Sequence, residues 1–279
     1  MQSNIYGYSW YLDIVCDRWG VFVLNDYEAV MPVPWRRKLF IKYAYHPFWL
    51  GALGIYSKVI EDENEFLIEL FSQFKKVKTY SNKDNAFSMF EAYQQEIQTQ
   101  VLDLNNGYSG LSSAYKSNRR KELFRANKSS LTVIWNDEPE NLISLYKTSA
   151  AKRLKKKKEK DYEKLLKLMK LSISKKQGEV ISVYDEKHNH LASGFFVEYK
   201  NQVTMLVSTF DYKNRKKEAD TKLIDCAVQK YSNEFSLFDF GISTHPKITD
   251  FYKGFGVENE VFTQLKQNRL SWGLKLFVR

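Results

Sequence analysis

Along the first half of the chain, apolar and polar positions alternate before they settle into helical spacing. Val21-Phe22-Val23-Leu24, a turn at Asn25-Asp26 and then Tyr27 to Val33 predict a β-hairpin bounded by Pro32 and Pro34, because proline donates nothing to a strand ladder. A second aromatic-rich strand is predicted from Ile41 to Tyr45. Phe66, Leu67, Leu70, Phe71 and Phe74 recur at helical spacing, so Glu65 to Phe74 predicts a helix with one buried face. Ala92 to Leu104 fits strand and helix equally well. Ser112 to Lys128 predicts one strongly basic helix carrying Lys116, Arg119, Arg120, Lys121, Arg125 and Lys128.

The second half is more regular. Leu131 to Trp135 is a β-branched run closed by Asn136-Asp137-Glu138-Pro139, with Asn141 the expected cap of a helix through Leu142, Leu145 and Tyr146. Tyr162, Leu165, Leu166 and Met169 predict another helix. Strands follow at Glu179 to Tyr184, Leu191 to Tyr199 and Gln202 to Phe210, and their short connections require antiparallel pairing. A helix from Ala219 to Tyr231 leads to a strand at Leu237 to Phe240, an order that implies a crossover and a parallel pair. A short helix around Lys247 to Lys253 ends at Gly254 and Gly256, and closing strands are expected near Val261 to Leu265 and Leu274 to Val278. The whole order implies an α/β chain of mixed sheets flanked by helices.

Composition narrows the class. The 279 residues are 43% hydrophobic and 15% aromatic, which excludes a disordered, collagenous or disulfide-scaffold protein. Cys16 and Cys226 lie far apart without zinc or dithiol spacing, and His188-Asn189-His190 in a hairpin turn reads as surface, so no metal is expected. No secretory leader pattern opens the chain, and the longest apolar stretch, Pro47 to Tyr56, falls short of the ~20 residues that span a bilayer. A cytoplasmic location without stable membrane insertion is therefore expected. The net charge of +10 favours polyanionic partners, with its densest run from Lys152 to Lys160.

The stretch Phe238-Asp239-Phe240-Gly241 followed by Ile248-Thr249-Asp250-Phe251-Tyr252-Lys253-Gly254-Phe255-Gly256 resembles the FemAB branch of the GNAT acyltransferase superfamily, in its strand ending on Asp-Phe and its Phe-Tyr-x-x-Phe-Gly helix end. Tyr27 to Pro34, His46-Pro47-Phe48 and Leu53-Gly54-Ile55 resemble that family's Pro-rich strand, Pro-aromatic step and Leu-Gly-Ile turn. The resemblance implies two GNAT-like lobes, 1–130 and 131–279, each a mixed, mostly antiparallel sheet flanked by helices. Two departures stand out. The segment Tyr212 to Asp220 lacks the glycines that cradle a pyrophosphate, and Gly51-Ala52 replaces a polar pair before Leu-Gly-Ile.

Acyl transfer to an amine needs a positioned nitrogen, a route for its proton and stabilisation of the oxyanion, and no nucleophilic side chain. That suits a sequence without Gly-x-Ser-x-Gly, His-Glu-x-x-His or phosphate-loop motifs. The resemblance implies that Tyr252 protonates the leaving group, that Phe210, Lys213, Arg215, Lys216 and Lys217 bind the donor, and that an interlobe cleft with His46, Trp49 and Ser243 holds the acceptor. Asp239 either orients the acceptor amine or caps a turn. The resemblance further implies an acyl-CoA or an aminoacyl-tRNA as donor, a small-molecule or peptide amine as acceptor, and tRNA as a possible partner. A second reading is a catalytically inactive tandem fold that binds RNA, anionic lipid or protein through Arg119 to Lys128 and Arg153 to Lys160.

Overall fold

Both halves of the predicted hairpin are present in the computed structural model, which describes residues 4–57, 63–149, 157–243 and 245–277, the side chains of 275–277 excepted. In chain order the elements are α1 (Ser9–Val15), β1 (Trp19–Leu24), β2 (Ala29–Lys38), β3 (Ile41–Ala44), β4 (Tyr56–Ser57), α2 (Asn64–Gln73), β5 (Lys76–Tyr80) and β6 (Gln94–Asp103). After them come α3 (Gly107–Ser113), α4 (Ser117–Asn127), β7 (Thr132–Trp135), α5 (Pro139–Ser149), α6 (Glu159–Ser174), β8 (Gly178–Tyr184), β9 (His190–Tyr199) and β10 (Gln202–Phe210). The chain closes with α7 (Ala219–Tyr231), β11 (Leu237–Asp239), α8 (Pro246–Tyr252), β12 (Glu258–Asn268) and α9 (Trp272–Phe277).

The elements gather into two units, Met1–Gln98 with Glu260–Arg279, and Thr99–Asn259. The expected division at 130/131 thus falls inside the second unit. It is invisible in composition because the chain crosses within strands, β6 at Gln98/Thr99 and β12 at Asn259/Glu260, and no linker marks either place.

In the first unit β1 pairs with β2, β2 with β3 and β4, β3 with β5 in parallel, and β5 with β12. Helix α2 buries Phe66, Leu67, Leu70 and Phe71 against Ala29, Met31, Val33, Ile55 and Leu265. Strand β2 runs through Pro32 and Pro34 and does not stop at them. The Trp35 amide donates to the Arg18 carbonyl at 2.9 Å, so the alternate positions Pro32 and Pro34 point away from β1, onto an edge where β3 pairing begins only at Trp35.

In the second unit the strand order is β6-β11-β10-β9-β8-β7. The predicted antiparallel meander of β8, β9 and β10 is present, and β10 pairs with β11 in parallel, as the crossover implied. Helix α7 covers the sheet with Leu223, Ile224, Ala227, Val228 and Tyr231, packed on Phe196 and Phe238.

Four expectations are corrected. The basic helix is two helices, parted at Ala114-Tyr115-Lys116, where the Tyr115 ring inserts edge-on against Phe255 and the Lys116 amide turns to the Gly254 carbonyl at 2.9 Å. Helix α5 starts at Pro139, so Asn141 lies in its first turn and Asp137 accepts from the Glu138 amide and Asn141 Nδ2 instead. Leu274 belongs to helix α9, which packs it against Ile41 and Leu270; a short alternating apolar run does not fix its own period, and Val278 lies outside the described residues. His190 is half-buried, its ring stacked 4.6 Å from Tyr184, while His188 is exposed.

Candidate functional site

Strands β10 and β11 stay together only briefly. Gln202, Val203 and Thr204 pair with Leu237, Phe238 and Asp239, after which the Phe240 amide turns to the Gln100 carbonyl at 3.0 Å and β10 continues alone on that side to Phe210. Two local features produce the parting. A bulge between Met205 and Val207 shifts the register of β10 against β9 and re-aims the residues that follow. Gly241, at φ +74°, passes so close to β10 that a Cβ there would lie 2.8 Å from the Met205 carbonyl oxygen, so only glycine makes this exit.

Beyond the parting lies a cavity of about 330 Å³. Ser208, Thr209 and Phe210 of β10 line one side, Ile248, Phe251 and Tyr252 of α8 the other, and Asp220, Leu223 and Ile224 of α7 close the end; Ser149, Tyr212, His245 and Lys247 complete it. The lining is apolar with polar groups at few points, the usual make-up of a small-ligand site.

Tyr252 is buried against Phe240, whose ring centroid is 4.8 Å away. Burial is the main cause that pushes its phenol up to about 12, with Asp220 and Asp239 adding to the rise and a hydrogen bond to Ser208 opposing it. The phenol is therefore neutral and proton-bearing at neutral pH. Asp220 sits in the first turn of α7, and its carboxyl is raised to about 6, first by desolvation and further by Glu218 and Glu122, against the Thr221 amide and Arg119. Two titratable groups, both raised by burial, thus line one cavity.

A buried cation holds the two helix ends in place. Arg119, only 2% exposed, donates to Glu122 and to Thr221 Oγ1 at 2.9 Å on α7, and to the Phe251 carbonyl at 3.0 Å on α8, with its guanidinium 3.9 Å over the Phe251 ring. The basic patch expected from Arg119 to Lys128 is weaker in consequence: Arg119 is interior, Arg120 serves the Ser113 and Tyr115 carbonyls, and Arg125 pairs with Glu218 at 2.7 Å. Of the second basic run, residues 152–156 lie outside the described residues.

The donor residues expected from the sequence separate. Phe210 lines the cavity. Lys213 and Lys216 are exposed on a 3-10 turn, Tyr212–Lys217; Arg215 stacks 4.4 Å over Tyr212; and Lys217 is engaged by Asp185 at 2.6 Å. Lys213, Arg215, Lys216 and Lys217 are thus not among the residues lining the cavity. Where a glycine cradle would turn into α7, Glu218 takes the left-handed conformation at φ 54°.

Asp239 lies next to the cavity sheet but not on the lining. Its Oδ1 accepts from Thr99 Oγ1 at 3.2 Å and the Gly241 amide at 2.8 Å, and its Oδ2 from Gln202 and Thr204, which is turn-capping geometry. Ser243 is half-buried and accepts from the His245 amide at 3.4 Å. His46 and Trp49 belong to the first unit. The His46 Nε2–H donates to the Leu50 carbonyl at 2.8 Å, which leaves Nδ1 buried with no hydrogen-bond partner among the described residues; burial lowers the ring to about 4, so it is neutral. The Trp49 carbonyl accepts from Tyr11 at 2.6 Å. Among the described residues, no group of three or more His, Cys, Asp or Glu side chains is gathered as metal ligands would be, and no helix is long and apolar enough to cross a membrane.

No protein-family profile and no curated protein matches the chain. Solved structures do. FemX aligns at 12% identity over 93% of this chain and 90% of that one, with a TM-score of 0.63. The C-terminal domain of a candidate lysylphosphatidylglycerol synthetase from Agrobacterium fabrum aligns at 12% identity over 95% and 92%, with a TM-score of 0.53. A tandem GNAT protein from the clavulanic acid biosynthesis pathway aligns at 9% identity over 85% and 78%, with a TM-score of 0.50. What these likenesses define is a fold: an α/β fold like that of FemX and of the tandem GNAT protein. This chain carries that fold with glycine absent from the turn into α7 and with an acid, Asp220, in that helix's first turn.

Proposed function

We propose that the chain is an N-acyltransferase that forms an amide on an amine-bearing acceptor, with the activated carbonyl of the donor seated in the cavity beside the unpaired end of β10. The observation that carries this reading is the meeting, in one cavity, of a buried neutral phenol, Tyr252, and a desolvated carboxyl near pH 6, Asp220. As the amine attacks, Asp220 takes the proton it sheds, because a base titrating near 6 is ionised at neutral pH yet still basic enough to accept. The tetrahedral oxyanion collapses, the bond to the leaving group breaks, and the Tyr252 phenol supplies the proton that neutralises a departing thiolate or ribose alkoxide. Ser208, hydrogen-bonded to the phenol, holds its orientation.

The donor in this proposal is an acyl-CoA or an aminoacyl-tRNA, and the acceptor a small-molecule or peptide amine. The loop cations Lys213, Arg215 and Lys216 then contact the donor's phosphates outside the cavity, where a backbone cradle is lacking. Two buried thiols, Cys16 and Cys226, favour a reducing, cytoplasmic setting. The test is turnover with a donor and amine found by screening acyl-CoAs and charged tRNAs. Tyr252→Phe is expected to lower kcat about a hundredfold with little change in donor binding. Unchanged kcat in Tyr252→Phe refutes its role as the acid.

A further inference from the structure

The first unit carries an apolar tip that nothing in the acyl-transfer reading uses. Strands β2 and β3 are joined by Leu39 and Phe40, which are 62% and 70% exposed, and Leu39 is held at φ 54° in a turn where asparagine or glycine is usual. The neighbouring Ile41 is buried under Leu270 and packed by Leu274, which bracket Trp272, itself 81% exposed. Ala44, the last residue of β3, faces Val77 near the start of β5, and Lys76 faces Asn268 at the end of β12, so β3 begins beyond the start of β5; there Ile41, which Lys38 faces, packs with Leu270. Three large apolar side chains therefore project from one end of one sheet.

The segments that build this end carry lysines and arginines without carboxylates. No Asp or Glu occurs between Glu28 and Glu61, between Glu69 and Asp84, or after Glu260, and these are the segments that build this end. Lys42 lies 5.2 Å over the Trp35 ring, and Lys76 5.8 Å over Tyr43. Lys76 is lowered by burial and then by Lys38 and Lys78, so the collar already repels itself. Asp17, the carboxylate next to β1, is taken by Arg36 at 2.5 Å.

Apolar tips within a cationic collar match the boundary of an anionic bilayer, where the side chains enter the acyl region and the lysines meet headgroup phosphates. We infer that this end of the first unit is a docking surface for anionic membrane, with Leu39, Phe40 and Trp272 as the inserted groups. A polyanion such as RNA would use the collar but would gain little from an aliphatic leucine at its tip. The docking is peripheral and reversible, and independent of any catalytic step.

The test is co-sedimentation of the full chain with phosphatidylcholine vesicles and with vesicles containing about one third phosphatidylglycerol. Expected are binding to the anionic vesicles only, weakening as salt is raised, and a loss of about tenfold or more in partitioning for the double variant Leu39→Ser/Phe40→Ser. Phe124→Ser, an exposed aromatic on α4 beside other lysines and arginines, should bind like the parent chain. Because all three substituted side chains are exposed, unchanged thermal unfolding is expected, and fluorescence of Trp272, read against Trp272→Phe, should be quenched by brominated acyl chains. Equal binding to both vesicle types, or a double variant that partitions like the parent, overturns the inference. So does binding of polyuridylate that competes with the vesicles and is indifferent to Leu39→Ser/Phe40→Ser.

Discussion

At the first turn of α7, Asp220 sits where an acid usually gains from the helix dipole, yet its carboxyl is raised and not lowered. Desolvation and the neighbouring Glu218 and Glu122 outweigh the dipole, the Thr221 amide and Arg119. The folded chain thus holds this proton more tightly than the unfolded chain, whose carboxyl titrates near 3.8. Ionising it costs native stability, a cost absent below the unfolded value and complete above about 6. Asp220→Asn is accordingly expected to stabilise the protein by about 1–2 kcal/mol at pH 8, with the gain closing as pH falls to about 4. Differential scanning calorimetry across that range checks it, and a difference that does not vary with pH refutes it. On the proposed mechanism the same variant should abolish turnover, since a carboxyl desolvated for proton transfer serves function at the expense of stability. Nothing in the sequence singled Asp220 out, because an Asp early in a helix is ordinary, its desolvation comes from burial in the fold, and the charges of Glu122 and Arg119 that act on it lie about a hundred positions away. Tyr252 was legible only through the resemblance of its motif.

Helices and strands were far more legible, because periodicity is local. The helix Ala219–Tyr231 and the meander β8-β9-β10 follow directly from apolar spacing and short polar turns. Where the sequence misled, a distant contact decided: Tyr115 against Phe255 breaks the basic helix, and Ile41 with Leu270 draws Leu274 into a helix. Arg119 is the clearest case, since a run of arginines reads as surface and this one is interior. It ties α4 to α7 through Thr221 and to α8 through the Phe251 carbonyl, and so fixes the two helices that carry Asp220 and Tyr252. Arg119→Ala is expected to destabilise the second unit by about 3 kcal/mol, because Glu122, Thr221 Oγ1 and a backbone carbonyl lose their donor together. Arg119→Lys should rescue little, as one ammonium cannot span both helices. Urea unfolding measures both, and a loss below about 1 kcal/mol in Arg119→Ala would show that the helices hold without it.

For the whole molecule, the sequence predicted two units but misplaced their boundary, since both crossings lie in strands that look like any others. The share in function proposed for the first unit rests on its sheet end, where three acid-free segments are drawn together by β3, β5 and β12, a convergence that no single stretch of sequence displays. The second unit's share rests on an opening made by the bulge at Met205 and the exit of β11 at Gly241. Hydrogen–deuterium exchange of the full chain, with and without a saturating acyl-CoA or aminoacyl-tRNA, tests that share most directly. Protection of Ser208–Phe210 and Pro246–Tyr252 by one donor is the predicted result, and saturable donor binding that leaves both segments unprotected would contradict it.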